Sequence, residues 1–307
     1  MIKRRIFIKN ILYLCIIVPF TNAKCFSFIK KEQNFIQNFF SMGTIGKIII
    51  ITNNKKNGIK AINEIINKIT YFEKILTMFS NNSFIGKLNK NPKKEFTVPN
   101  SVIYILKISE ILKIKTNKKF NINLNNKIYL EKYNKNNNIK NEISESIKIN
   151  KNKVMIQNNS NIDLGGIGKG FAIEEAMKIT NKYEINNAMI ELGGDIKIKG
   201  KNEFNLQWKI KINNNQNSKN NYIIPNNTSI ASSGQFIKNR ITNKYDIKNH
   251  IIDPITLKNN HYYQLATVIG KNATICDALS TACYNTPIEE INILKKNFPN
   301  YEFKIFT

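Results

Sequence analysis

The stretch Asp163-Leu-Gly-Gly-Ile-Gly-Lys-Gly-Phe-Ala172 constrains this chain most, because it places glycines at 165, 166, 168 and 170. An apolar approach precedes it. A helix-like run follows, with Ala172, Ala176 and Ile179 at i, i+4 and i+7 and Ile173 and Met177 flanking them. Asp163 is suitably placed to cap the free N–H groups of such a turn. Glycine lets the backbone approach a ligand closely, and a helix start offers N–H groups to an anion. The stretch therefore reads as a phosphate-handling turn, with a plain tight connection as the alternative. It lacks the Gly-Lys-Ser/Thr of a Walker loop and is not a clean dinucleotide fingerprint.

A chain of 307 residues can build one large domain or two small ones, and 42% hydrophobic residues supply a real core. The formal charge is +26, from 47 Lys and Arg against 21 Asp and Glu. Lysines are scattered through every segment rather than gathered on one, so a nucleic-acid partner is not expected. A basic surface still favours an anionic substrate or an anionic membrane face. Residues 1–23 have the form of a secretory signal: Lys3, Arg4, Arg5 and Lys9, then an apolar run from Ile11 to Phe20, then Thr21-Asn-Ala23. The expected layout is a signal over 1–23, a linker over 24–40 and one domain over 41–307. Export follows, to the periplasm or to the periplasmic side of the inner membrane, with either cleavage after Ala23 or lipid attachment at Cys25. Cys276 and Cys283 fall about 10 Å apart on one expected helix, too far to bridge.

Helical spacing runs from Ile59 to Leu76 through Ile62, Ile65, Ile66, Ile69 and Phe72. A second helix is expected from Ser101 to about Ile114, capped by Asn100. Ile48–Ile51 reads as a buried strand, and further strands are expected over 153–157, 188–192, 197–199 and 206–212. Residues 125–152 and 213–221 are polar and read as loops. This mixture predicts an α+β fold, a single two-lobed domain of mixed sheets and helices.

Four further stretches combine glycines with hydroxyls and carboxylates. Glu191-Leu-Gly-Gly-Asp195 is a strand running into a glycine pair, while Ala231-Ser-Ser-Gly234 serves equally well as a turn. His250-Ile-Ile-Asp-Pro254 carries one of only two histidines, and an imidazole beside a carboxylate is a reasonable proton acceptor near neutral pH. Asp277 and Thr281 lie i, i+4 on a helix, where a carboxylate and a hydroxyl can meet one hard cation such as Mg²⁺. The alternative for Asp277 is an acidic residue stabilising the start of its own helix.

Taken together, and in this order, these stretches resemble the ApbE family of FAD:protein FMN transferases. The likeness runs from about Ser41 to Tyr284 and includes Met42-Gly-Thr44, Leu76–Asn89, Asp163–Ala172, Glu191–Asp195, Ala231–Gly234, His250–Pro254 and Asp277–Ala282. The resemblance implies an Mg²⁺-dependent transfer of the FMN half of FAD to a Thr or Ser hydroxyl of a target protein, with release of AMP. It implies metal ligands at Asp277, Thr281 and the main-chain oxygen of Gly166. Flavin and nucleotide contacts would fall on Met42, Phe79, Phe120, Asn121, Asp163, Lys169, Gly193, Gly194 and Asp195, and near Leu265. His250 matches the base that deprotonates the acceptor. The family's usual target is a membrane-bound reductase subunit, which makes membrane association an expectation.

The chain also departs from the family pattern. Phe79 stands where Tyr is usual, Ser80 replaces a basic residue and Phe84 an acidic one. Phe120-Asn-Ile-Asn123 replaces a Phe-Asp-Pro-Thr segment, and Leu257 stands where glycine is expected. Two other outcomes share the same residues: metal-dependent hydrolysis of FAD to FMN and AMP, and FAD binding without turnover.

Overall fold

The computed structural model describes residues 33–124, 147–157, 160–212, 221–234, 236–238, 245–247, 251–256 and 262–307. The expected signal over 1–23, Cys25, His250 and Leu257 lie outside the described residues. Residues 32–307 form one compact unit. Its frame is a seven-stranded antiparallel sheet of β1 (Gln33–Ser41), β2 (Thr44–Thr52), β3 (Asn187–Leu192), β4 (Asp195–Lys199), β5 (Ser229–Gly234), β6 (Leu265–Gly270) and β7 (Glu302–Phe306). The strands lie side by side in that order. Every neighbouring pair is antiparallel. Sheet and helices together make the α+β fold that the sequence mixture predicts.

Helices α1 (Lys55–Leu76), α2 (Phe84–Lys90), α3 (Asn100–Lys115), α4 (Gly168–Met177) and α5 (Ala273–Tyr284) accompany the sheet. The main core includes Ile48 and Ile50 of β2 with Ile65, Ile69 and Phe72 of α1 and Phe171 of α4. Phe72 meets Phe171 edge-on, with ring centroids 4.9 Å apart. The alternate β2 residues, Ile49 and Ile51, belong to a second cluster with Trp208 and Ile224. These last two come from a hairpin of Trp208–Lys211 and Asn221–Ile224. The unbroken apolar run Ile48–Ile51 thus serves two covered faces, as a strand buried on both sides requires.

Several boundaries differ from expectation for physical reasons. The second half of the expected linker is β1: Phe35 and Phe39 pack against the core from one side of the strand, and the whole strand pairs with β2. Glycine at 46 leaves room for the Phe39 ring, which a Cβ there would meet at 2.4 Å. Helix α1 begins four residues before its apolar stripe because the Asn54 side chain accepts the Asn57 N–H and caps it. Asn100 is not a cap; Pro99 holds that position and Asn100 is the first helical residue. Within the expected loop 125–152, Ile147–Asn150 is a strand pairing with Lys153–Ile156. Cys276 and Cys283 are free and buried. Among the described residues no helix is long and apolar enough to cross a membrane.

Candidate functional site

The glycine-rich stretch is a bend followed by a helix start. Asp163 Oδ1 accepts the Gly165 N–H at 2.7 Å, and the Leu164 carbonyl accepts those of Ile167 and Gly168. Helix α4 then begins at Gly168 with no side-chain cap. Its exposed first-turn N–H groups want an anion. The anion is Asp277, whose Oδ2 accepts the Gly170 N–H at 2.9 Å. Asp277 does not stabilise the start of its own helix: Asn272 does so, accepting the Ile275 N–H at 3.1 Å.

This exchange requires α4 and α5 to touch backbone to backbone. A Cβ on Gly170 would lie 2.2 Å from the Ala273 carbonyl oxygen and 2.6 Å from Asp277 Cβ. Gly166 is similarly close to α5. A Cβ there would meet Thr281 Oγ1 at 3.0 Å and the Phe120 ring at 3.5 Å. The structure therefore brings Gly166, Asp277 and Thr281 to one place, with Phe120 as a wall. Asn121 beside it accepts the Asn123 N–H, and Ile122 is tied to Asp163 by a backbone bond of 2.8 Å.

Lys169 completes the cluster. Its ammonium lies 2.9 Å from Asp195 Oδ2 and 3.4 Å from Asp277 Oδ1, with the side chain 27% exposed. Burial works against the Lys169 charge, but Asp195 and Asp277 outweigh it and hold its pKa above the usual lysine value. Asp195, only 1% exposed, is pushed up to about 7, first by burial and then by the Asp277 charge. The folded chain thus keeps a proton on Asp195 that the unfolded chain loses near its ordinary value of 3.8. Asp195 thereby stabilises the fold at low pH, and that contribution is lost as pH rises through about 7. Asp195→Asn, which cannot ionise, is expected to gain stability relative to the parent as pH rises from about 4 to about 7 in metal-free buffer. Urea unfolding measures the difference, and a constant difference across that range would contradict a protonated Asp195.

The other site residues sit around the same end of the sheet. Leu192 and Asp195 flank the Gly193-Gly194 turn, with φ of 61° and 98°, both values that glycine takes at no steric cost. Met42-Gly43 makes the neighbouring hairpin turn, with Met42 at φ 51°. A Cβ on Gly193 would reach Thr44 at 2.8 Å, which sets the two turns against each other. Leu265 begins β6 opposite Gly234, at the end of β5. Phe79 is 73% exposed in the loop after α1, its N–H bonded to Thr77 Oγ1. Ala231–Gly234 is not a turn but the end of β5. Ser233 Oγ there lies 2.8 Å from Ser280 Oγ and 3.3 Å from Thr281 Oγ1. Ser233 is the contributor that the sequence left without a role, whereas Gly170, read as part of a phosphate-handling turn, is the contact point of two helices. The short side chains of the Ala-Ser-Ser-Gly run, which let α5 pack directly on β5, were the available signal for Ser233.

Chemically, the cluster is a group of oxygen donors around one ammonium. No group of three His, Cys, Asp or Glu side chains poised for a metal exists among the described residues. A site here would rest on one carboxylate, one hydroxyl and one carbonyl, hard donors that fit Mg²⁺ and not Zn²⁺. Two carboxyl groups, Asp195 and Asp277, face the single Lys169 ammonium, so an added cation can be accommodated beside Asp277.

Comparison with known proteins gives the family and the fold. The model of the ApbE family matches residues 42–303. A curated FAD:protein FMN transferase of Vibrio cholerae is 33% identical over 125 residues, 39% of this chain and 37% of that protein. The chain thus matches little more than a third of that relative's length. Another of that name, from Buchnera aphidicola, is 27% identical over 258 residues, 76% of this chain and 74% of that protein. The crystal structure of the ApbE protein from Thermotoga maritima superposes with a TM-score of 0.74 at 21% identity, over 89% of this chain and 94% of that one.

Proposed function

The chain belongs to the ApbE family, and on that premise we propose that it transfers the FMN half of FAD to a Thr or Ser hydroxyl of a target protein, releasing AMP. The names of the curated relatives support this reading. The observation that carries it is the meeting of Gly166, Lys169, Asp195, Asp277 and Thr281 at the end of the sheet where two bare turns lie.

In the reaction, the acceptor hydroxyl oxygen bonds to the FMN phosphorus. The bond from that phosphorus to the bridging oxygen breaks, and AMP leaves with the bridging oxygen. The hydroxyl proton must go to a base, because a free hydroxyl is a weak nucleophile. His250, outside the described residues, is proposed for that role. Lys169 contributes a fixed positive charge beside Asp195 and Asp277, and charge neutralisation lowers the barrier to phosphoryl transfer. The glycine turns let the diphosphate lie against backbone. Asp277, Thr281 and the Gly166 carbonyl would hold Mg²⁺, which when bound offsets the diphosphate charge. Phe120 is buried against the bend at Gly166.

The proposed setting is the periplasmic side of the inner membrane, after export by the segment 1–23. The proposed target is a membrane-bound reductase subunit. Incubating the domain with FAD, Mg²⁺ and a peptide bearing the acceptor Thr should release AMP and make the peptide fluorescent. AMP without labelled peptide would mean hydrolysis, and bound FAD without AMP would mean an inert binder; either result rejects transfer. His250→Ala is expected to slow peptide labelling while FAD binding stays nearly intact, and an unchanged labelling rate would reject the base role.

A further inference from the structure

Three separated segments meet at the C-terminal end of α5. Asn285, which ends that helix, is fully buried. Its Nδ2 donates to the carbonyl oxygens of Lys119, at 3.4 Å, and Ile252, at 3.3 Å. Lys119 places its ammonium 3.7 Å from Asp253 Oδ2 and 3.8 Å from Glu290 Oε2, with its side chain only 11% exposed. Asp253 is itself fully buried. Its Oδ1 accepts the N–H groups of Ile255, at 2.8 Å, and Thr256, at 3.4 Å, and so shapes that turn from within.

The residues after Lys119 are fastened to the glycine bend. Phe120 abuts Gly166, the Ile122 carbonyl accepts the Asp163 N–H, and Asn123–Leu124 pairs with Asn161–Ile162. Lys119 therefore stands where the stretch that abuts the Gly166 bend meets the Ile251–Thr256 segment. Asn285 ties both to the helix carrying Thr281, about one turn earlier, and Asp277, about two turns earlier. An ammonium so buried is costly unless paired, which makes it a specific connector and not a filler of space.

We propose that Lys119 and Asn285 are positioning residues: they fix the Ile251–Thr256 segment, which directly follows His250, relative to the Gly166 bend and to Asp277 and Thr281. This rests on the transferase reading given above. Each link is polar and directional, so its loss shifts the segment without emptying the core. A small shift at a phosphoryl-transfer site costs rate far more than it costs ground-state affinity.

The test compares the parent chain with Lys119→Met and Lys119→Arg, following FAD affinity with Mg²⁺, peptide labelling at saturating substrates, and amide exchange at Ile255 and Thr256. Lys119→Met should label about tenfold more slowly or worse with FAD affinity held within about threefold. Exchange at the two amides should quicken by about tenfold. Lys119→Arg, which keeps the charge, should restore both. Unchanged exchange in Lys119→Met overturns the proposal whatever the rate does. So does a joint loss of FAD affinity and rate that arginine fails to rescue, which would mark a packing role only. A parent chain that binds FAD and labels nothing refutes the transferase reading instead, and the exchange data alone then decide the tether.

Discussion

Asp277→Ala is expected to abolish AMP release from FAD at ordinary Mg²⁺ concentrations. The carboxylate has two duties in the structure: it accepts the Gly170 N–H and faces the Lys169 ammonium. It is also the only charged side chain among the three proposed metal donors. Losing charge stabilisation of this kind costs about 10²–10³ in turnover. Alanine also leaves a buried N–H unpaired, a cost of about 1–3 kcal/mol. Asp277→Asn separates the two duties. Its amide oxygen can still accept from Gly170, so thermal stability should stay near that of the parent while AMP release is lost. Undiminished turnover in either variant would remove Asp277 from the metal site.

Gly170→Ala is expected to destabilise the fold by about 3 kcal/mol, at the upper end of what overpacking costs. Helix propensity alone predicts the opposite sign, since alanine in place of a helical glycine favours the helix by about 0.5–1 kcal/mol. The contact geometry decides between them. A Cβ at 170 would sit 2.2 Å from a backbone carbonyl that cannot swing aside, so α4 and α5 must part. Gly168→Ala is the control, because its Cβ would meet only Leu164 Cβ at 3.9 Å. Urea unfolding of the two variants should give opposite signs. A Gly170→Ala chain as stable as the parent would contradict the close helix crossing and the placement of Asp277 that depends on it.

What could be read from the sequence followed its periodicity and its glycines. The stripe from Ile62 to Leu76 named the buried face of α1 because a long amphipathic helix needs no tertiary information to be legible. The i, i+4 pair at Asp277 and Thr281 is on one helix, and the bend at Gly166 meets it. Strand β1 was not legible because its apolar residues come as the adjacent pairs Phe35-Ile36 and Phe39-Phe40, which breaks the period of two that marks a strand. Gly170 read as part of a phosphate-handling turn or of a tight connection, and only the partner helix shows it to be a packing contact. The anion at the start of α4 was legible as a need, but its source was not: Asp277 is 107 residues away in the chain. Lys119 was hidden by composition, one lysine among many, until burial between two carboxylates set it apart.

The central claim is best tested by diffraction from crystals of the domain grown with FAD and Mn²⁺ in place of Mg²⁺. An anomalous peak should lie among the Asp277 carboxylate, the Thr281 hydroxyl and the Gly166 carbonyl, with the FAD diphosphate on it. A manganese peak elsewhere, or FAD bound away from the end of the sheet where Gly193 and Gly194 turn, would contradict the account.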